Sequence, residues 1–311
     1  MDALLILRNI RVENANAIAG LTWGFPAISN FLGFVHALSR KLPTDLKLDL
    51  DGCGVICHNR QIQSYQPRGW GDYVFALTRN PLTKKAKSPS FNEEGRMHMT
   101  VSLLIPIAGI LDDRSEPKVL EPLIEQLALS QRLAGGTIIS IGAVEILEPP
   151  EDFEGLQLFE RKQLRKLLPG FALVQRPDLL AEHTRQSVTQ DPAAESLDAW
   201  LDFSAIKFQA ELPDGVVDEQ TPAEWRYIPK PGGGWLVPIA TGYRGISDLY
   251  EPGQVVRSRD STTPFRFVES VYSVGEWLSP HRVTNLKQLI WRYHAEPATG
   301  WYLCRNLYQP K

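Results

Sequence analysis

The stretch Gly20-Leu21-Thr22-Trp23-Gly24-Phe25-Pro26 runs directly into Ala27-Ile28-Ser29-Asn30-Phe31-Leu32-Gly33-Phe34-Val35-His36-Ala37-Leu38. Ile28, Phe31, Leu32, Val35 and Leu38 recur at three- and four-residue spacing, which predicts a helix that buries one face. Pro26 suits the first turn, where a missing N–H costs nothing. The loop ahead of the helix presents Trp23 and Phe25, two glycines, and the backbone N–H groups of Ala27 and Ile28. At a helix start those groups and the dipole favour phosphate. The stretch therefore reads as an aromatic entry loop able to hold a nucleotide, against the plainer reading of a turn that packs its rings inward.

The neighbours of this loop and helix set the topology. Residues 4–12 read as a strand before them, and 46–58 and 73–78 as strand material after them. Residues 96–107 alternate, with Met97, Met99, Val101 and Leu103 against Arg96, His98, Thr100 and Ser102. A helix is expected over 117–133, then Gly135-Gly136 and a strand over 137–147. The order strand, helix, strands, helix, strand predicts an α+β fold, a ferredoxin-like, RRM-type antiparallel sheet domain over 1–149. In the RNA-recognition module of that topology an open sheet face stacks bases. Residues 150–230, opened by Pro149-Pro150, read as a mainly helical insertion. Residues 231–311 read as strands returning to the sheet, near 235–243, 264–278, 289–294 and 301–303. Gly232-Gly233-Gly234 lacks the spacing and the trailing Lys-Ser/Thr of a phosphate-binding P-loop.

At 311 residues and 43% hydrophobic, the chain can bury a substantial core. No apolar run reaches the ~18 residues of a spanning helix and no signal pattern opens the chain, so no membrane is implied. Three cysteines argue for a reducing cytoplasm rather than a disulfide framework. Cys53, Cys57 and His58 lack zinc-ligand spacing and a complementary pair, and read as buried side chains with no metal or cofactor. The formal net charge of −3 runs against a free-standing nucleic-acid binder. The charges are unevenly placed, however. Arg79, Lys84, Lys85 and Lys87 share one loop, His281, Arg282, Lys287, Arg292 and Arg305 gather near the end, and the acids concentrate in 112–125, 145–160 and 191–224. Arg161, Lys162, Arg165 and Lys166 read first as a solvated helix face.

Three segments carry a family resemblance. The run from Gly24 to Leu38 resembles the signature of the second-subunit family of the type I-F CRISPR Csy surveillance complex, a Cas-five-like branch of the RAMP superfamily. Leu133-Ala134-Gly135-Gly136-Thr137 resembles the RAMP glycine-rich loop. Ser279-Pro280-His281-Arg282, Trp291-Arg292-Tyr293-His294 and Gly300-Trp301-Tyr302-Leu303-Cys304 resemble its C-terminal part. The resemblance implies a subunit that caps the 5′ handle of the guide crRNA, pairs with the large subunit, touches the adjacent backbone subunit and meets target DNA through the complex. On it, Trp23, Phe25, Ala27, Ile28, Gly135, Gly136, Arg244, His281, Arg282 and Arg292 are expected to bind RNA by stacking, close backbone approach and phosphate contacts. Lys84, Lys85 and Lys87 are candidates for contact with DNA.

The alternative is an enzyme. RAMP proteins include metal-independent endoribonucleases in which a histidine carries the proton. Of six histidines, His36, His58 and His98 are the candidates, and each reads as a structural or RNA-facing imidazole. No Gly-x-Ser-x-Gly elbow or HExxH pattern is present, and the resemblance implies a subunit that does not cleave.

Overall fold

Ala3-Leu4-Leu5-Ile6-Leu7 at the head of the first strand is buried at every residue, so this strand must be covered on both faces. The computed structural model, which describes residues 2–109, 116–212 and 222–310, shows how. The chain runs through β1 (Ala3–Asn16), α1 (Ile28–Ser39), β2 (Gly54–Ile62), β3 (Arg96–Ala108), α2 (Pro117–Leu129), β4 (Gly136–Ser140) and β5 (Ala143–Leu147). It continues through α3 (Phe153–Lys166), β6 (Phe171–Gln175), α4 (Pro177–Gln190), α5 (Ser196–Ser204), β7 (Leu236–Gly245), β8 (Val268–Leu278), β9 (Trp291–Glu296) and β10 (Trp301–Asn306). Among the described residues the result is a mixed α/β protein built on one antiparallel sheet of 12 strands. On its first half β4 and β5 pair β1, β1 pairs β3 and β3 pairs β2. Leu5 and Leu7 share a core with Phe31 and Val35 of α1 and Ile124 of α2. Leu4 and Ile6 share a second core with Leu164 of α3, Leu286 and Leu289.

That second core corrects one expectation. The face opposite α1 and α2 is not open along its length, because α3 and residues 283–290 close it over Leu4, Ile6, Ile56 and Leu104. Two further expectations also shift. Asp49–Leu50 pairs the end of β3, but β2 begins only at Gly54. Between them Gly52 has φ +80°, and an added Cβ there would lie 2.4 Å from the Trp291 carbonyl, so one strand cannot run through. The stretch expected at 73–78 is Val74–Arg79, which pairs Phe91–Glu94 in a ribbon outside the main sheet.

β1 is longer than its expected span and bends twice. Asn9 and Asn14 have positive φ, and the register with β3 slips on either side of them. Each is a bulge, and asparagine tolerates the left-handed region. Their N–H groups find side chains instead of the ladder, Asn9 to Ser102 Oγ at 2.9 Å and Asn14 to His98 Nδ1 at 3.3 Å.

Residues 150–230 hold α3, α4 and α5 and the exposed pair Lys207–Glu211 and Glu224–Ile228. They also supply β6, which pairs both β2 and β8 inside the main sheet. Leu173 faces the first core while Ala172 and Val174 face the second, so burial on both sides hides the alternation that would mark a half-exposed strand. β8, β7, β10 and β9 then extend the sheet in that order. The acidic stretches expected at 112–125 and 191–224 fall partly outside the described residues.

Arg8 on β1 ties the sheet to α3. Its Nε and Nη2 donate to the two Glu145 oxygens at 2.9 Å each, and Nη2 also donates to Gln163 Oε1 at 3.1 Å. The hydrogen bonds from Arg8 hold the Glu145 carboxyl below its ordinary value of 4.5. A carboxylate depressed in the folded state stabilises above its unfolded pKa, and that stabilisation disappears as pH falls through the folded value. The stability difference between the wild type and Glu145→Gln is therefore expected to be constant at neutral pH and to shrink below about pH 4.5. Urea titrations at stepped pH check it.

Candidate nucleic-acid interface

The glycine pair is the tip of a hairpin. Arg132–Leu133 pairs the start of β4, with Leu133 opposite Gly136 and Arg132 opposite Thr137. The two connecting residues, Ala134 and Gly135, have φ +50° and +75°, the positive values that a two-residue primed turn requires. Arg132 Nη1 donates to the Gly135 carbonyl at 3.3 Å, and the Ala134 carbonyl accepts the Asn16 N–H at 2.8 Å. The two glycines then separate in role. A Cβ added at Gly135 would have no atom within 4 Å, whereas one at Gly136 would lie 2.7 Å from Ala15 N, Glu13 O and Val12 Cγ1. Gly135 is an open tip. Gly136 is internal packing against β1, and the expectation that it leaves room for RNA backbone is corrected on that ground.

A polar cleft of about 450 Å³ lies beside the tip, lined by Asn14, Gln63, Arg96, Arg132, Gly135 and Thr137, with Ala76 and Glu94 from the exposed ribbon. The Asn14 bulge turns its side chain to this cleft, where Asn14 Oδ1 accepts from Gln63 Nε2 at 2.8 Å. The Gln63 amide also lies 3.1 Å from His98 Nε2. Arg96 Nη1 donates to the Asn14 carbonyl at 3.4 Å and Nη2 lies 3.5 Å from Glu94. Among the described residues Arg132 has no carboxylate partner. Two guanidinium groups and two amides thus share one cleft with the open glycine, and the His98 imidazole backs the Gln63 amide. This set can grip a phosphate and read base edges, the two tasks of single-strand recognition.

The other expected residues are dispersed. Trp23 is 64% exposed and meets Phe75 of the ribbon edge-on at 5.9 Å. Phe25 turns inward, stacked on Phe31 at 5.5 Å and edge-on to Trp277 at 4.8 Å, so it shapes the loop from below and is no free stacking platform. Ala27 is the N-cap of α1 without a side-chain cap, and Ile28 opens the helix in the core. Arg244 on β7 lies 4.8 Å over the Trp301 ring. Arg292 on β9 pairs with the exposed Asp51 carboxylate at 2.7 Å, a weak surface ion pair with which an RNA phosphate would compete. Register places Arg244 and Arg292 on one face of the β7–β10–β9 edge. His281 and Arg282 sit in an exposed 3₁₀ turn, Pro280–Arg282, and Lys84, Lys85 and Lys87 in the ribbon loop. Sequence reasoning passes over Asn14, Gln63, Arg96 and Arg132, although Arg132 stands three residues before Gly135. It also passes over Arg60, whose Nη1 donates to the Gly24 carbonyl at 3.2 Å and so fixes the entry loop.

Comparison with known families decides what this surface belongs to. A family model described as CRISPR-associated protein (Cas_Csy2) matches residues 5–304. The chain belongs to the Csy2 family. It is 44% identical over 311 residues to the CRISPR-associated protein Csy2 of Pseudomonas aeruginosa (strain UCBPP-PA14), covering 97% of this chain and 94% of the relative. The resemblance to the second-subunit family of the type I-F Csy complex therefore holds over nearly the whole chain.

In this Csy2-family chain the sulfur chemistry is quiet. Burial pushes the thiols of Cys57 up to about 11 and Cys304 up to about 12, and raises Cys53 as well, so none is a ready thiolate. His58 is held at both ring nitrogens, 2.6 Å from the Pro169 carbonyl and 2.7 Å from Ser102 Oγ. Among the described residues no three His, Cys, Asp or Glu side chains converge as a metal site, and no helix is long and apolar enough to cross a membrane.

Proposed function

We propose that this Csy2-family chain is a non-catalytic, RNA-binding subunit of a type I-F CRISPR surveillance complex in the cytoplasm. It caps the 5′ handle of the guide crRNA, pairs with the large subunit and abuts a backbone subunit. The observation that carries the reading is the hairpin tip at Gly135, open to solvent beside Arg96, Arg132, Asn14 and Gln63. The strand order of residues 3–147, with α1 and α2 on one face, also supports a ferredoxin-like unit of the RAMP kind. A handle strand crossing the tip meets backbone without a Cβ in its way and shares the cleft with two guanidinium groups and two side-chain amides. Trp23 and Arg244 lie apart from this cleft and are further contacts, a stacking ring and a cation, and Lys84, Lys85 and Lys87 take target DNA.

The test is co-expression with the other subunits and guide RNA, followed by sizing with and without nuclease. The wild-type chain is expected in the RNA-bearing peak. Arg96→Ala with Arg132→Ala is expected to lower guide retention at least tenfold. Two charge-assisted hydrogen bonds of roughly 1.5–3 kcal/mol each exceed the ~1.4 kcal/mol that a decade requires. A wild-type chain absent from that peak, or metal-independent cutting of repeat RNA lost in His98→Ala, would replace this reading with another.

A further inference from the structure

A cationic groove of about 790 Å³ lies between α3 and residues 281–287, over the second core and on the face opposite α1 and α2. Arg161 and Arg165 enter it from α3, and Lys287 faces them from the 3₁₀ turn Leu286–Leu289. His281 completes the rim, its Nδ1 held 2.8 Å from Ser279 Oγ. Among the described residues none of the three permanent cations is paired with a carboxylate, whereas Arg8, Arg176 and Arg292 all are.

Helix physics accounts for only part of this. Arg165 is in the last turn of α3, where a cation suits the dipole. Arg161 lies a turn earlier and four residues from Arg165, a like-charge spacing that weakens a helix. No Asp or Glu stands three or four residues from either one to relieve it. The one acid on the groove wall, Glu160, is buried and turned to the backbone, where its Oε1 accepts the Leu286 N–H at 3.1 Å. The described lining carries three permanent cations against this one carboxylate and so stays net positive. Phe153, 74% exposed at the first turn of α3, stands at the mouth.

We propose that this groove is a second nucleic-acid site, in which Arg161, Arg165 and Lys287 take successive phosphates of a strand and Phe153 stacks on a base. Arginines four residues apart on one helix face stand about 6 Å apart along its axis and present bidentate forks to a running backbone. An exposed aromatic beside a cationic track suits a nucleic acid, whose base stacks on the ring while its phosphates follow the cations. The inference goes beyond the guide-handle reading and uses none of the glycine-hairpin residues.

The experiment takes the full chain and its Arg161→Ala/Arg165→Ala/Lys287→Ala variant. It titrates a labelled oligouridylate and a labelled DNA duplex at stepped salt, with labelled polyglutamate as a third probe. The slope of log affinity against log salt is expected to become shallower by about 2 for the single strand, or nearer 3 for the duplex, since each neutralised phosphate carries ~0.7 or ~0.9. The probe that shows the change names the source, an unpaired strand or a duplex. Arg161→Lys with Arg165→Lys keeps the charge and is expected to keep the slope. Unchanged slopes on both nucleic acids, a wild-type chain that binds neither, or loss of polyglutamate binding alone would overturn the proposal. The guide-handle reading is judged separately, by Arg96 and Arg132 and by retained guide.

Discussion

Trp291→Ala is expected to remove about 3–5 kcal/mol of stability through lost packing alone. Against a total of roughly 5–15 kcal/mol for a folded domain, that is a large share. The ring is wholly buried in the first core, and its Nε1 donates to the Leu173 carbonyl at 2.8 Å. Its backbone exchanges two hydrogen bonds with Cys53, at 2.9 and 3.0 Å. One residue thus joins the edge strand β9 to β6 and to the approach of β2. Alanine leaves a cavity and also strands the Leu173 carbonyl, a further ~1–3 kcal/mol if no water enters. Trp291→Phe separates the two effects, because it keeps most of the ring and loses only the donor. Chemical denaturation of both variants checks the split. A loss below ~1 kcal/mol in Trp291→Ala would mean that β9 is held by other contacts and that the sheet edge is independent of β6.

Trp291 also shows what the sequence makes legible. Its position in a strand flanked by Arg292 and Tyr293 already suits a core residue. The periodicity of Ile28, Phe31, Leu32, Val35 and Leu38 likewise fits the buried face of α1. Such features are local, repeated every two or four residues, and survive in one dimension. The bulges at Asn9 and Asn14 are not of that kind, since a positive φ inside a strand shows only once the register with β3 is known. β6 is hidden for the opposite reason. Cores on both sides erase its alternation, and it sits between two helices that dominate the pattern.

The candidate site divides along the same line. The glycine pair is legible as a motif, while the difference between its members depends on β1, more than 120 positions earlier in the chain. Arg292 looks free in the sequence because Asp51 is 241 residues away. Arg96 and Arg132 look like ordinary solvated cations, and only the folded chain sets them around one opening. Charge partners and clefts are long-range properties, so a sequence that shows its helices clearly still conceals which cations remain available.

The glycine pair gives the sharpest separation of fold from function. Gly136→Ala is expected to destabilise by about 3 kcal/mol or more, the upper range for forced overpacking. The new Cβ would sit 2.7 Å from two backbone atoms of β1 and from Val12 Cγ1, and backbone in a ladder cannot step aside as a side-chain tip can. β4 would have to lift from β1 at Glu13 and Ala15, opening the sheet at its edge. Gly135→Ala adds the same methyl one residue earlier, into open space. Its cost is the left-handed backbone alone, about 1 kcal/mol for a residue at φ +75°, so the fold is expected to survive. Its methyl instead narrows the cleft beside Arg96 and Arg132 and is expected to lower guide retention in the assembled complex. Melting of both variants, paired with RNA content of the complex, reads the two effects apart. Wild-type melting in Gly136→Ala would show that the β1–β4 spacing can dilate, and full guide retention in Gly135→Ala would take the hairpin tip out of the RNA path.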